Sequence, residues 1–379
     1  MSERPTHIVT GGTGFVGSAI ILELLERSSA RIVGITRPGS EGATARLHGV
    51  LREAARLYGR GDALDVAIAE RVEGVAGDLH AEGCGVEPRP DWVGAELWHS
   101  AASLQFLDRH AESIFKTNVH GSEQVAALAR AAGVGTINVL STAYVAGTRS
   151  GVILEAPAEV MDEGTNNHYE RSKIAAERIF EAAFAGERLR ILRPSVVIGH
   201  SQTRAALNFN GLYGFIRGVY KFRRLMERTQ RDLGSRFALR MIGDPAATLN
   251  LIPVDLLARD AVALSLADAP PRYYHLTHAT PMPTCAALDV VFDTLEMPGP
   301  DFTDDRGEFR WIDRKFNRRV DFYTAYLVGR KDFSRAHVDA VVPDSAGARY
   351  VLDEAELRAF CRWYTDGPLA ARKPLPESR

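Results

Sequence analysis

Along the first two hundred residues, short apolar runs alternate with stretches whose apolar positions recur every three or four residues, the periods of strand and helix respectively. His7-Ile8-Val9-Thr10 reads as a strand, Gly11-Gly12-Thr13-Gly14-Phe15-Val16-Gly17 as a turn, and Ser18 to Arg27 as an apolar-periodic helix. Strand-like runs follow at Arg31 to Thr36, Arg71 to Val75, Glu96 to Trp98, Thr136 to Leu140 and Leu189 to Val197. Helical patterns separate most of them. This alternation predicts an α/β fold, a Rossmann-type doubly wound parallel sheet with its ligand crevice at the carboxyl ends of the strands.

After Gly199 the pattern becomes helix-like and rich in arginine through Arg240, and the run Asn250 to Asp255 with a helix through Leu266 returns to the first layer. The expected organisation is a nucleotide-binding domain over 1–199, rejoined by 246–279. A smaller, mostly helical C-terminal substrate lobe would be built from 200–245 and 280–379. The tail from Lys373 reads as loose, and no internal repeat is present.

Composition narrows the partners. A chain of 379 residues, 45% hydrophobic and 25% charged, can bury a large core. Its net charge of -2 gives no reason to expect nucleic acid or an anionic membrane as a general partner. Cys84, Cys285 and Cys361 lack metal or disulfide spacing, and neither a signal segment nor an 18-residue apolar run occurs. A cytoplasmic protein without metal or membrane span is expected.

The glycine turn satisfies Gly12-x-Gly14-x-x-Gly17 and Gly11-x-x-Gly14-x-x-Gly17 between a strand and a helix, where backbone must approach a pyrophosphate at a helix N-terminus. Gly11, Thr13, Gly14, Phe15, Val16 and Gly17 are therefore candidate cofactor contacts. The second strand ends in Thr36-Arg37, with no acidic residue between Arg27 and Glu41 to accept from a ribose 2'-hydroxyl. Arg37 is placed to meet a 2'-phosphate, and Arg46 adds a second cation if its helix turns back. NADP(H) is the expected cofactor. In Gly77-Asp78-Leu79, Asp78 is a candidate partner of the adenine amino group, with Leu79 beside it.

Tyr169 and Lys173 stand one helical turn apart in Asn167-His168-Tyr169-Glu170-Arg171-Ser172-Lys173. A fixed cation beside a phenol favours the phenolate, so Tyr169 is expected to exchange a proton near neutral pH. Leu140-Ser141-Thr142-Ala143-Tyr144 ends a strand with two adjacent hydroxyls, one of which should face the crevice.

Together these motifs resemble the extended short-chain dehydrogenase/reductase superfamily over roughly residues 6 to 280. The resemblance implies that Thr142 is the catalytic hydroxyl, with Ser141 its neighbour. It also implies that Asn118 supports Lys173, that Lys173 holds the nicotinamide ribose, and that Ser100-Ala101-Ala102 line that ribose. In Arg193-Pro194-Ser195-Val196-Val197-Ile198-Gly199, Pro194, Ser195 and Val197 are cofactor contacts on the same ground.

His99-Ser-Ala-Ala, Ser141-Thr-Ala-Tyr-Val-Ala-Gly, Ala45-Arg46-Leu47 and the Arg193 to Gly199 run are similar to the thioester reductase and fatty acyl-CoA reductase branch. That likeness implies NADPH-dependent reduction of an acyl-CoA or carrier-bound acyl thioester to aldehyde, with further reduction to alcohol left open. The alternatives are an NADP-dependent alcohol/ketone dehydrogenase on a lipid, steroid or polyketide, a sugar-nucleotide epimerase or dehydratase, and an NADP(H)-binding sensor. Arg217, Lys221, Arg223, Arg224, Arg228, Arg231, Arg236 and Arg240 suit CoA phosphates or an acidic carrier protein, or form a solvated helix face. The interleaved Phe209, Leu212, Tyr213, Phe215, Ile216, Tyr220, Phe222 and Leu225 line a tunnel or pack a core.

Overall fold

Strands buried on both faces need largely apolar runs, a pattern strongest in the inner strands of the seven that build the central sheet of the computed structural model, which describes residues 5–105, 108–159, 164–229 and 237–371. They are β1 (Thr6–Thr10), β2 (Arg31–Thr36), β3 (Val72–Ala76), β4 (Glu96–His99), β5 (Thr136–Leu140), β6 (Leu189–Pro194) and β7 (Tyr273–Leu276). Their spatial order is β7-β6-β5-β4-β1-β2-β3, and every adjacent pair is parallel. The order reverses beside β1, where Thr10 stands opposite Ile35 on one side and His99 on the other. A ligand crevice opens at such a switch point.

Helices cover both faces. α1 (Phe15–Arg27), α2 (Ala43–Leu57) and a later helix, α6 (Val254–Leu266), bury Ile20, Leu24, Leu51 and Leu257 in one core. On the opposite face α3 (Gly121–Ala132) and α4 (His168–Ala183) bury Val125, Leu128 and Phe180.

The run Leu189 to Val197, expected as one strand, is divided. Pro194 offers no N–H to a ladder, β6 ends there, and Val196–Ile198 turns away to pair in parallel with Leu251–Pro253. The bend opens the sheet beside the crevice and marks the transition to the second lobe.

That lobe is built mainly from α5 (Leu212–Thr229), α7 (Thr284–Thr294), α8 (Trp311–Thr324) and α9 (Glu354–Tyr364) around Ile216, Phe222, Phe292, Phe316 and Phe360. α5 and α8 approach closely because Gly214 and Gly218 face α8: a Cβ on Gly214 would sit 2.2 Å from the Tyr323 hydroxyl, and one on Gly218 3.1 Å from Val320. Residues 331–349 instead return to the sheet. Lys331–Phe333 pairs with Gly151–Ile153, Val338 enters the core beside α6, and Arg335 donates to the Thr277 carbonyl and to Ser345 Oγ.

Candidate active site

A cavity of about 730 Å³ runs from the glycine turn, along the carboxyl ends of the strands, into the lobe. Gly11 adopts φ +74°, and a Cβ there would lie 2.5 Å from the Ala101 backbone N, so the β1 and β4 ends meet only because this residue is glycine. Gly14 N donates to the Gly11 carbonyl at 2.8 Å. α1 begins after Gly14 without a side-chain cap, which leaves first-turn N–H groups for an anion. Thr13, Gly14, Phe15 and Val16 line the cavity; Gly17 does not. Gly17 has a packing role in any case, because a Cβ there would strike the Gly11 carbonyl oxygen.

Arg37, Arg46, Asp78 and Leu79 line the β2 and β3 side of the cavity. Arg46 Nη1 reaches back to the Arg37 carbonyl at 3.0 Å, so the first turn of α2 brings its guanidinium to the same end. Asp78 Oδ1 accepts from His80 N at 3.0 Å. Ser100, Ala101, Ala102, Pro194, Ser195 and Val197 line the middle. Ser141 Oγ and Ser195 Oγ are buried there without a hydrogen-bond partner among the described residues. Buried hydroxyls of that kind require a ligand or water partner. The glycine cradle and the open Ser195 hydroxyl fit a nicotinamide dinucleotide.

Thr142, Tyr169 and Lys173 converge on this cavity. Asn167 caps α4 by accepting from Glu170 N at 3.0 Å. Glu177, one turn beyond Lys173, takes Arg193 of β6 in a bidentate pair at 2.9 and 2.7 Å, with both side chains almost fully buried. The pair locks α4 to the sheet with Tyr169 and Lys173 facing the crevice. Lys173 Nζ donates to the Leu140 carbonyl at 2.6 Å. Burial lowers its pKa to about 8, against an opposing pull from Glu177.

Tyr169 behaves contrary to the sequence expectation. Burial, reinforced by the Glu170 carboxylate, pushes its phenol above the usual value, which favours the neutral, donating form. Thr142 Oγ1 accepts from Tyr144 N at 3.2 Å and faces the Pro194 carbonyl at a long 3.5 Å, so its proton is only weakly engaged.

Asn118 is buried in a π-helical segment, Lys116–His120, and does not line the cavity. Its amide clasps Ser103 through N–H and carbonyl at 2.6 and 3.2 Å and donates to Ser172 Oγ at 2.9 Å. Asn118 thereby ties the segment after β4 to α4, the helix that carries Lys173; the support expected for Lys173, through water, is not among these direct bonds. His99 is held between Thr10 Oγ1 at 2.8 Å and Ser122 Oγ at 3.2 Å. Burial and nearby Lys173 push its pKa down to about 3, so it stays neutral. No cluster of His, Cys, Asp and Glu suited to a metal occurs among the described residues.

Sequence reasoning missed a group contributed by the far end of the chain. Tyr326 lines the cavity and donates to the buried Glu170 at 3.1 Å while accepting from Asn167 Nδ2 at 3.0 Å. Its ring meets Tyr144 edge-on at 4.9 Å. Tyr323-Thr-Ala-Tyr326-Leu bears only a faint likeness to acyl-CoA reductases, and nothing in it marks Tyr326 as a site residue. Of the aromatic run, Leu212 and Phe215 line the cavity while Tyr213, Ile216 and Phe222 fill the lobe core. Within the basic segment, Arg223 pairs with Glu227 at 2.7 Å and Glu296 at 2.6 Å, Arg224 lies 3.6 Å from Glu227, and Arg240 donates to the Glu308 carbonyl. Arg231 and Arg236 lie outside the described residues, as does the tail from Lys373.

A seven-stranded parallel sheet with a glycine cradle, leading to a cleft holding Thr142, Tyr169 and Lys173, defines an NAD(P)-dependent oxidoreductase of the extended short-chain dehydrogenase/reductase type. Residues 9–261 match the male sterility protein model of NAD-binding domains, and the chain belongs to that family. It is 29% identical over 277 residues to a linear gramicidin synthase of Brevibacillus parabrevis, covering 70% of this chain and 5% of that protein. It is 29% identical over 219 residues to glycine betaine reductase ATRR of Emericella nidulans, covering 54% and 17%. The chain thus spans a small part of these relatives' lengths. The crystal structure of the terminal R domain from the myxalamid PKS-NRPS biosynthetic pathway shares the fold, with a TM-score of 0.73 at 21% identity over 98% of this chain and 94% of that one. No described helix is long and apolar enough to cross a membrane.

Proposed function

We propose that this chain reduces an acyl thioester to an aldehyde with NADPH, using Tyr169 as proton donor. The observation that carries the reading is one continuous cavity in which the glycine cradle, the Thr142, Tyr169 and Lys173 set, and an apolar lobe pocket follow each other. Membership of the male sterility family and likeness to proteins named as reductases support the thioester as substrate.

When bound, the nicotinamide supplies a hydride to the carbonyl carbon. Negative charge then gathers on the carbonyl oxygen, where the Thr142 and Tyr169 hydroxyls donate. Tyr169, kept neutral by burial, gives its proton to that oxygen. The resulting thiohemiacetal returns its hydroxyl proton to the Tyr169 phenolate as the C–S bond breaks, leaving aldehyde and a thiolate that takes a proton from water. Lys173 holds the ribose hydroxyls with its ammonium and steadies the phenolate left on Tyr169. Ser195 Oγ, buried without a protein partner among the described residues, would donate to and accept from the bound nucleotide. Arg37 and Arg46 bracket a 2'-phosphate, which favours NADPH over NADH. The thioester is presented on CoA or an acidic carrier protein, for which the exposed Lys221 and Arg224 of α5 supply positive charge.

The test is simultaneous measurement of NADPH oxidation and free thiol release with acyl-CoA and acyl-carrier thioesters. One thiol per first hydride is expected. NADPH oxidation on ketones alone, without thiol from any thioester, would refute the reading in favour of an alcohol/ketone dehydrogenase.

A further inference from the structure

Glu170 follows Tyr169 in the first turn of α4 and has no part in the steps above. It is fully buried, and each of its partners among the described residues is a donor. They are Asn166 N at 2.8 Å, the Asn166 and Asn167 side-chain amides at 3.1 and 3.4 Å, and the Tyr326 hydroxyl at 3.1 Å. Donors alone suit a carboxylate, which only accepts, and leave no acceptor for a protonated acid. The positive end of α4 adds to them. Lys331, itself buried on the strand that pairs with Gly151–Ile153, supplies the counter-charge. This set of partners holds an anion in the dry interior beside the proton donor.

Phenols surround that anion. Tyr144, Tyr169 and Tyr326 all line the cavity; Tyr326 is bonded to the carboxylate, and Tyr144 meets the Tyr326 ring edge-on at 4.9 Å. Behind the larger effect of burial, the Glu170 charge pushes the Tyr144 and Tyr169 phenols up. A charge so enclosed is weakly screened. Its effect on Tyr169 has opposite signs in the two halves of the reaction. When Tyr169 gives its proton to the substrate oxygen, a second negative charge forms near Glu170, which opposes the transfer. When the phenolate takes a proton back, that repulsion is relieved. A raised proton affinity makes Tyr169 a weaker acid and its phenolate a stronger base. Reducing a ketone uses the acid alone, whereas reducing a thioester to aldehyde uses the base as well.

We propose that Glu170 is a positioning residue for collapse of the thiohemiacetal, its buried charge driving the Tyr169 phenolate to reclaim the hydroxyl proton. As that proton leaves, the O–H electron pair becomes the second bond of the aldehyde carbonyl. The C–S bond breaks, its electron pair departs on sulfur, and the thiolate takes a proton from water. Tyr326 and Asn166 keep the carboxylate in place. This deepens the thioester reading and rests on it.

The test is stopped-flow reduction of octanoyl-CoA, with NADPH fluorescence reporting hydride transfer and a chromogenic disulfide reporting free CoA. In the wild type the two signals should coincide. Glu170→Gln fills the same space and still accepts from Asn166 N, so its thermal unfolding should stay near that of the wild type. It should show a burst of about one NADPH per site, with CoA release trailing by about ten-fold in rate. Glu170→Asp, which keeps the charge, should restore coincidence. Tyr326→Phe takes one donor from the carboxylate and favours its protonation, so it should separate the signals in the same direction by about three-fold. Parallel loss of both signals in Glu170→Gln, or the same separation in Glu170→Asp, overturns the proposal and makes Glu170 a structural cap of α4. A wild type that releases no CoA refutes the thioester reading itself.

Discussion

At the sheet end the cavity is walled by backbone and fixed charge: Gly11 at φ +74° against Ala101, the uncapped start of α1, and Arg37 with Arg46. At the lobe end it is walled by hydrocarbon from α5, α7 and α8. The first surface recognises a ligand whose phosphates and ring edges never change, so each contact is a specific atom at a specific backbone position. The second is a surface of packed side chains from three helices, defined by shape, and many side-chain sets would serve. One end therefore tolerates almost no substitution, and the other should yield graded changes.

The largest effect belongs to the reaction centre between them. Tyr169→Phe removes the proton donor and should lower kcat by about 1,000-fold, while fluorescence titration finds NADPH affinity within about two-fold of wild type. Equal loss of both would make Tyr169 a structural residue. Next comes the contrast between buried and exposed ion pairs. Arg193→Ala strands the Glu177 carboxylate in the core and should cost about 3 kcal/mol in denaturant unfolding. Arg223→Ala in the lobe, where the pair is partly solvated, should cost under about 1 kcal/mol.

Arg37→Ala should weaken NADPH about ten-fold and leave NADH unchanged, as read by competition binding; parallel loss of both would assign Arg37 to general nucleotide affinity. Comparable in size is the pH response. Lys173 acts as an ammonium, and burial brings its pKa down to about 8, so kcat/KM should fall about ten-fold per unit above that pH. Its stability contribution runs the other way. With the folded pKa below the unfolded value of 10.5, burial of the charge costs stability below about pH 8, and the penalty is relieved as pH rises toward 10.5. A flat rate profile to pH 10 would exclude Lys173 as the titrating group. The smallest effect is expected from Gly214→Ala, whose new methyl pushes the Tyr323 hydroxyl from its place against α5. Acyl-thioester turnover should fall about three-fold with NADPH affinity unchanged, and a loss confined to NADPH would contradict the assignment of this wall.

The elements legible in the sequence are those whose physics is local. A strand followed by Gly11 to Gly17 and an apolar helix is one βα unit whatever surrounds it, and Tyr169 and Lys173 share a helix face by spacing alone. Where remote segments meet, local reading failed. Tyr326 and Glu170 are separated by 156 positions, and no periodicity links them. Asn118 acts through Ser103 and Ser172, contacts made only once α4 packs on the segment after β4. The direction of the Tyr169 shift followed from burial, which spacing does not reveal.

By itself the sequence determined the class of fold and the chemical groups available: a parallel sheet, a glycine cradle, and a phenol, an ammonium and hydroxyls at strand and helix ends, all consequences of backbone period and residue type. Only the tertiary structure decided which of these groups face one another and how dry they are. It tied Asn118 to Ser103 and Ser172, raised the Tyr169 pKa through burial, split the strand at Pro194, and opened a cavity into the lobe beside the reaction centre. Desolvation and packing depend on every segment that closes over a residue, and those segments come from across the chain.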